Sequence, residues 1–254
     1  MQLHFQTCGH GAPLLILHGL FGSLQNWQTI SRRLSAHFQV FAVDQRNHGA
    51  SPHDSEMNYR VMAEDVLGFL DSQRLQRASL LGHSMGGKTA MMFSLLYPQR
   101  VDKLICADIA PRAYPPHHSQ ILEALIALNP SAFRNRADIE AALTPAIPEK
   151  ATRQFLLKNL AHDPNGGFSW KLNLHGIDEN YSHLNEAMPP DRSCDKPALF
   201  LRGQASDYIL DSDWPLIQQL FPRARLITIP AAGHWLHADA PEPFLQAVLE
   251  FMGT

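Results

Sequence analysis

The sequence predicts a doubly wound, mostly parallel α/β sheet that carries an inserted, mainly helical segment. Three observations predict it: short and almost uninterrupted apolar runs, helical patterns between them, and one long stretch where this alternation stops between proline clusters. The apolar runs lie at 14–18, 40–44, 78–82, 104–108, 198–203 and 225–230. Runs of this length without polar alternation suit strands buried on both faces. Helical patterns occupy 25–36, 61–73, 85–97, 210–221 and 243–251. Strand and helix alternating in this way place crossover helices on both faces of a parallel sheet. Between 111 and 196 the pattern changes to helix-like segments at 120–128, 132–143 and 149–162, followed by a polar, aromatic-dotted tail at 168–184. Pro111, Pro115 and Pro116 precede this tract, and Pro189, Pro190 and Pro197 follow it. The expected organisation is a discontinuous core, 1–110 and 197–254, with a cap or lid at 111–196 over the carboxyl ends of the strands, where open α/β sheets bind ligands.

Composition narrows the function classes. With 254 residues, 45% of them hydrophobic and 18% charged, the chain suits one sizeable globular core. A net charge of −3 gives no electrostatic footprint for nucleic acid. No apolar run approaches the roughly 18 residues of a membrane helix, so no membrane partner is expected. The start, MQLHFQTCGHG, has neither a basic n-region nor an apolar h-region. Cys8, Cys106 and Cys194 are widely spaced and fit no metal pattern, which points to a reduced, cytoplasmic setting.

The chemistry is concentrated on one loop. Gly82-His83-Ser84-Met85-Gly86 follows an apolar run and precedes a helical one, the strand–turn–helix context of a nucleophile elbow, G-x-S-x-G. A turn sharp enough to project Ser84 brings neighbouring backbones together, so the positions two before and two after must be small. The same residues also read as a P-loop, because Gly82 is followed after four residues by Gly87-Lys88-Thr89. The two readings differ in where the helix begins: beside Ser84 for an elbow, near Lys88 for a phosphate cradle. Two further features favour the elbow. His18-Gly19-Leu20-Phe21-Gly22 follows an early strand and can supply a backbone N–H to an oxyanion, from Leu20 first and Phe21 second, beside the N–H of Met85. Late in the chain, Ala232-Gly233-His234-Trp235 follows the last strand run and offers His234 as general base. His237, three residues on, is the rival histidine and is expected to be exposed or to cap a helix; the rest of the fourteen histidines are taken as ordinary. The carboxylate that orients His234 has two candidates at strand ends, Asp108 and Asp207.

With these pieces in place the chain resembles the α/β-hydrolase-fold serine enzymes. Asp44-Gln45-Arg46-Asn47-His48-Gly49-Ala50-Ser51, together with residues 18–23, 82–88 and Asp108-Ile109-Ala110-Pro111, is similar to the bacterial YbfF-type esterases over about two-thirds of the chain. In that branch the acid follows the strand before the lid, which implies Asp108; many other members place it one strand later, which would be Asp207. The resemblance also implies that Ser206 hydrogen-bonds near His234, whereas the 44–51 run is read as a structural turn behind the oxyanion loop. The expected activity is hydrolysis of a small-molecule carboxylic ester or thioester, with no metal or organic cofactor. Phe155, Leu156, Trp170, Leu174 and Tyr181 are candidates to contact an acyl chain. The alternatives are a C–C bond hydrolase or lyase on the same scaffold, a non-catalytic binding protein, and the P-loop NTPase.

Overall fold

All six apolar runs become strands, because each sends alternate side chains into two separate cores. The computed structural model describes residues 1–163 and 166–254. The chain begins β1 (Phe5–Cys8), β2 (Pro13–Leu17), α1 (Gln28–Leu34), β3 (Gln39–Val43), α2 (Tyr59–Ser72), β4 (Ala78–His83), α3 (Met85–Leu96) and β5 (Val101–Ala107). An insertion follows, with α4 (Ser119–Ala127), α5 (Arg136–Leu143), α6 (Lys150–Leu156), β6 (Leu160–His162), β7 (Phe168–Trp170), α7 (Leu174–Glu179) and α8 (Tyr181–Leu184). The chain then returns with β8 (Ala198–Gly203), α9 (Trp214–Leu220), β9 (Ala224–Ile229), α10 (Leu236–Asp239) and α11 (Pro241–Met252).

The main sheet has seven strands in the order β1-β3-β2-β4-β5-β8-β9, all parallel except β1, which pairs antiparallel with β3. Leu15, Leu17, Phe41, Val43, Leu80 and Leu104 face a core shared with α2, α3 and α9. Leu14, Ile16, Val40, Ala42, Leu81 and Ile105 face the opposite core, closed by α1 and α11. This is the α/β-hydrolase architecture that the sequence predicts. Among the described residues the insertion adds no strand to the main sheet, and β6 and β7 pair with each other.

Two local expectations are corrected. The helical segment expected over 149–162 ends at Leu156 and passes through a 3₁₀ turn into β6, because the ladder from Leu160↔Trp170 to His162↔Phe168 satisfies its backbone groups. β1 escapes a search for apolar runs because Gln6 and Thr7 at its centre are exposed on an edge strand. Among the described residues no helix is long and apolar enough to cross a membrane.

Strand order reverses between β2 and β4, since β2 leads outward to β3 while β4 begins the other half of the sheet. A crevice opens at the carboxyl ends on either side of such a switch point. Leu17 and Gly82 are register partners there, so the loops after β2 and β4 emerge side by side. Their closeness depends on two glycines. A Cβ at Gly82 would lie 2.2 Å from the Gly86 carbonyl oxygen, and one at Gly86 would lie 2.3 Å from that of Leu17. Both contacts are to backbone, which has no flexible end to swing away. Gly86→Ala is therefore expected to cost about 3 kcal/mol, on the upper side of overpacking. Gly68→Ala in α2, where a Cβ meets nothing within 4 Å, is expected to be neutral or to stabilise by up to about 1 kcal/mol. Chemical denaturation of both variants checks the pair, and equal stability would contradict the close-packing account.

Candidate active site

Ser84 stands between β4 and α3 with φ 51° and ψ −119°, a region that L-residues avoid. Holding it there stores on the order of 1–3 kcal/mol, which the packing around Gly82 and Gly86 enforces. Its backbone N–H donates to the Ala107 carbonyl at 3.0 Å, and its own carbonyl accepts from Lys88 N–H at 3.1 Å. The Ser84 hydroxyl has no protein partner among the described residues and opens into a cavity of about 550 Å³. Met85 begins α3, so its N–H has no intrahelical acceptor. The Leu20 N–H is likewise without a protein acceptor among the described residues, whereas the Phe21 N–H is held by His48 Nε2 at 3.2 Å. Of the two candidate donors on this loop, only Leu20 is free.

His234 lies five residues beyond β9 on the rim of the same cavity. Its Nδ1 sits 2.8 Å from Asp108 Oδ2, the pairing in which the imidazole N–H donates to the carboxylate and leaves Nε2 for the cavity side. Asp108 directly follows β5, is fully buried, and has φ 52°. It accepts further hydrogen bonds from Gly203 N–H at 2.9 Å and from the Ser206 hydroxyl. Asp207 is exposed; its backbone carbonyl accepts from Arg112, and its carboxylate has no hydrogen-bond partner among the described residues. The structure thus brings His234, Asp108 and Ser206 together and leaves Asp207 outside.

The helix start separates the two readings of residues 82–89. β4 runs through His83 and α3 begins at Met85, so there is no open loop at 82–87 to cradle phosphate. Lys88 points away from such a cradle: buried, it donates to the Glu186 carbonyl of the insertion and packs against Tyr59 and Tyr114, with Nζ 5.5 and 4.9 Å from the ring centroids. Burial lowers its pKa to about 7, and Arg112 adds to the effect.

Of the expected acyl-contacting residues, Phe155 and Leu156 line the large cavity and Tyr181 lines a small one of about 40 Å³ beside Ser84. Trp170 and Leu174 line neither. Tyr208 went unforeseen: its ring stacks on His234 with centroids 3.7 Å apart and planes 19° apart. The signal was present, since Tyr208 occupies the same loop as Ser206 and Asp207. Among the described residues no cluster of three or more His, Cys, Asp or Glu side chains is placed to hold a metal ion. A separate groove of about 470 Å³ beside Lys103, Arg223 and Arg225 contains none of these groups.

The sequence family described as alpha/beta hydrolase fold matches residues 12–149. This chain belongs to that family. It is 36% identical to the Escherichia coli esterase YbfF, covering 97% of this chain and 95% of the relative, which bears out the resemblance read from the motifs. It is 39% identical to the Xenopus laevis sn-1-specific diacylglycerol lipase ABHD11, over 95% of this chain and 80% of the relative. A solved structure, a marine microorganism esterase, superposes with a TM-score of 0.96 at 46% identity and covers 98% of this chain and 99% of its own.

In this α/β-hydrolase the remaining site histidines are not ordinary surface residues. His237, expected to be exposed or capping, is buried and stacked on Trp27 with centroids 4.2 Å and planes 9° apart; the aromatic pocket beneath α10 takes it inward. His83 Nε2 lies 2.8 Å from the His234 carbonyl, which fixes the backbone of the loop that carries His234. His18 and His48 each place Nδ1 against a carbonyl, Gly19 and Arg46 respectively, while Nε2 accepts a backbone N–H, from Gln45 and Phe21. Such an arrangement requires neutral rings, since a protonated Nε2 has no lone pair to offer. Burial drives the pKa of His18 down to about 4 and that of His48 to about 3. Burial likewise lowers His237 to about 3, His118 to about 4, and His83 well below the usual value, with neighbouring histidines adding to the effect. The run at 44–51 serves this loop. Asp44 accepts from Leu24 and Ala50 N–H, Arg46 pairs with Asp65 at 2.6 Å, and His48 holds Phe21.

The common direction of these shifts sets the acid limb of stability. Unfolded histidine titrates near 6.5, so below that pH the unfolded chain binds more protons than the folded one and unfolding becomes easier. Stability is full above about pH 6.5 and is lost progressively down toward the folded values. His118→Asn should flatten this limb by about one proton, or about 1.4 kcal/mol per pH unit. Urea midpoints between about pH 7 and pH 4.5 check it, and an unchanged slope would contradict the neutral assignment.

Proposed function

We propose that this α/β-hydrolase cleaves carboxylic esters through an acyl-enzyme on Ser84, and that acyl thioesters are open to the same chemistry. The observation that carries the reading is the 2.8 Å pairing of His234 Nδ1 with the buried Asp108 carboxylate, on the rim of the cavity into which Ser84 opens. The esterase and lipase names of its relatives agree with it.

His234 Nε2 takes the proton of the Ser84 hydroxyl as Oγ bonds to the acyl carbon. The carbonyl oxygen becomes an oxyanion held by the Leu20 and Met85 N–H groups, each contributing about 3 kcal/mol. Collapse breaks the bond to the alcohol oxygen, which leaves with the proton from His234. Water then repeats the sequence, releasing the carboxylic acid and restoring Ser84. Asp108 holds the imidazole in the productive tautomer and stabilises its cation. Ser206 and Gly203 in turn hold Asp108. Residues 111–196 act as a lid over the core formed by 1–110 and 197–254, a reading supported by Ile121, Phe155 and Leu156 lining the cavity. Cys8, Cys106 and Cys194 are all free thiols, which supports a reducing, cytoplasmic compartment.

Ser84→Ala should abolish both ester turnover and labelling by a fluorophosphonate probe. Asp108→Asn should lower kcat by about a thousandfold or more, while Asp207→Asn should stay within about twofold, as an exposed side chain does. Steady-state kinetics on a chromogenic ester decides, and the reverse ranking of the two aspartates would overturn the assignment.

A further inference from the structure

Ser84 stands on the seam between two cavities of very different size. The large one, about 550 Å³, contains His234 but not Met85; the small one, about 40 Å³, contains Met85 but not His234. Leu20, the other free amide, lines both. This division constrains how an ester can sit. A tetrahedral carbon on Ser84 Oγ carries an oxyanion, a leaving oxygen and the acyl substituent. The oxyanion turns to the Leu20 and Met85 amides. The leaving oxygen must meet the proton on His234, so the alcohol extends into the large cavity. The acyl substituent is left with the side remote from His234, which is the small cavity.

That cavity is small, about 40 Å³. Its volume accommodates about three water-sized atoms. Lys88, held by the Glu186 carbonyl and two tyrosine rings, lines it together with Leu184 from the insertion. A long alkyl chain would have to displace the buried Lys88 amine from its hydrogen bond to the Glu186 carbonyl and leave both groups unpaired, which costs free energy without return. The opposite side offers Ile121, Phe155, Leu156 and Trp235 to a bulky apolar group.

We propose that the substrates are esters of short acyl groups, acetyl to butanoyl, with bulky apolar alcohols, and that Leu184 and Lys88 set the acyl limit. The inference rests on the Ser84 acyl-enzyme reading. It sets this chain apart from a lipase that selects long acyl chains.

Two substrate series on the intact protein test it. Along p-nitrophenyl acetate, butanoate and octanoate, kcat/KM should fall by about tenfold or more between butanoate and octanoate, as an over-long chain against so small a pocket requires. Along ethyl, hexyl and naphthyl acetate, it should hold or rise. Leu184→Ala should raise the octanoate-to-acetate ratio by about tenfold. Phe155→Ala, on the alcohol side, should leave that ratio near the wild-type value. A wild-type preference for octanoate over acetate, or a loss of rate with alcohol size, overturns the partition while leaving the esterase reading intact. Absence of turnover on every ester overturns both. The wild-type series decides even if a variant fails to fold.

Discussion

The Asp108 carboxylate is the fixed point on which the site depends. It is fully buried and accepts from His234, Gly203 and Ser206, so one side chain at the end of β5 ties down the end of β8, the loop beyond it and the loop beyond β9. A buried carboxylate is costly to desolvate, and hydrogen bonds from several donors offset that cost. The three donors come from segments on the far side of the insertion, so the insertion can lie between β5 and β8 without loosening the link. At the switch point, the glycine-packed crossing of the β2 and β4 loops fixes Ser84 with similar rigidity. Ser84 and the His234–Asp108 pair are therefore mounted on different strands, and Ser84 and His234 line one cavity.

A shell of neutral histidines completes the electrostatics. His83, His118 and His237 are within or beside the cavity, and burial keeps each of them uncharged at neutral pH. His234 alone among them faces a carboxylate. An imidazolium forming there would meet Asp108 on one side, the face of Tyr208 on another, and no competing cation among those rings. His18 and His48 act one layer out, using the same tautomer to hold the loop that carries Leu20 and Phe21.

Much of this was legible in the sequence, for physical reasons. Fully buried parallel strands write themselves as apolar runs, and a sharp elbow demands small residues around Ser84. The order of strands before and after the insertion followed from the same pattern. Asp108 and Asp207 could not be separated by residue type, since one ends a strand run and the other lies in the loop just after the next, and only burial and the partner at 2.8 Å distinguish them. The inward turn of His237 was illegible for a related reason: its stacking partner, Trp27, is 210 residues away in the chain. Lys88 looked like a phosphate ligand because four spaced residues cannot report where a helix begins. The β6–β7 hairpin was hidden because three-residue strands carry too little periodicity to compete with a helical pattern.

The proposed chemistry requires a covalent intermediate at Ser84. The most direct measurement is rapid acid quench during turnover of p-nitrophenyl acetate, followed by peptide mass spectrometry. The account predicts a burst of p-nitrophenol and one acetyl group on the peptide containing Ser84, accumulating when deacylation limits the rate. Turnover with no acetylated peptide under burst conditions, or with the acetyl group on another side chain, would contradict it.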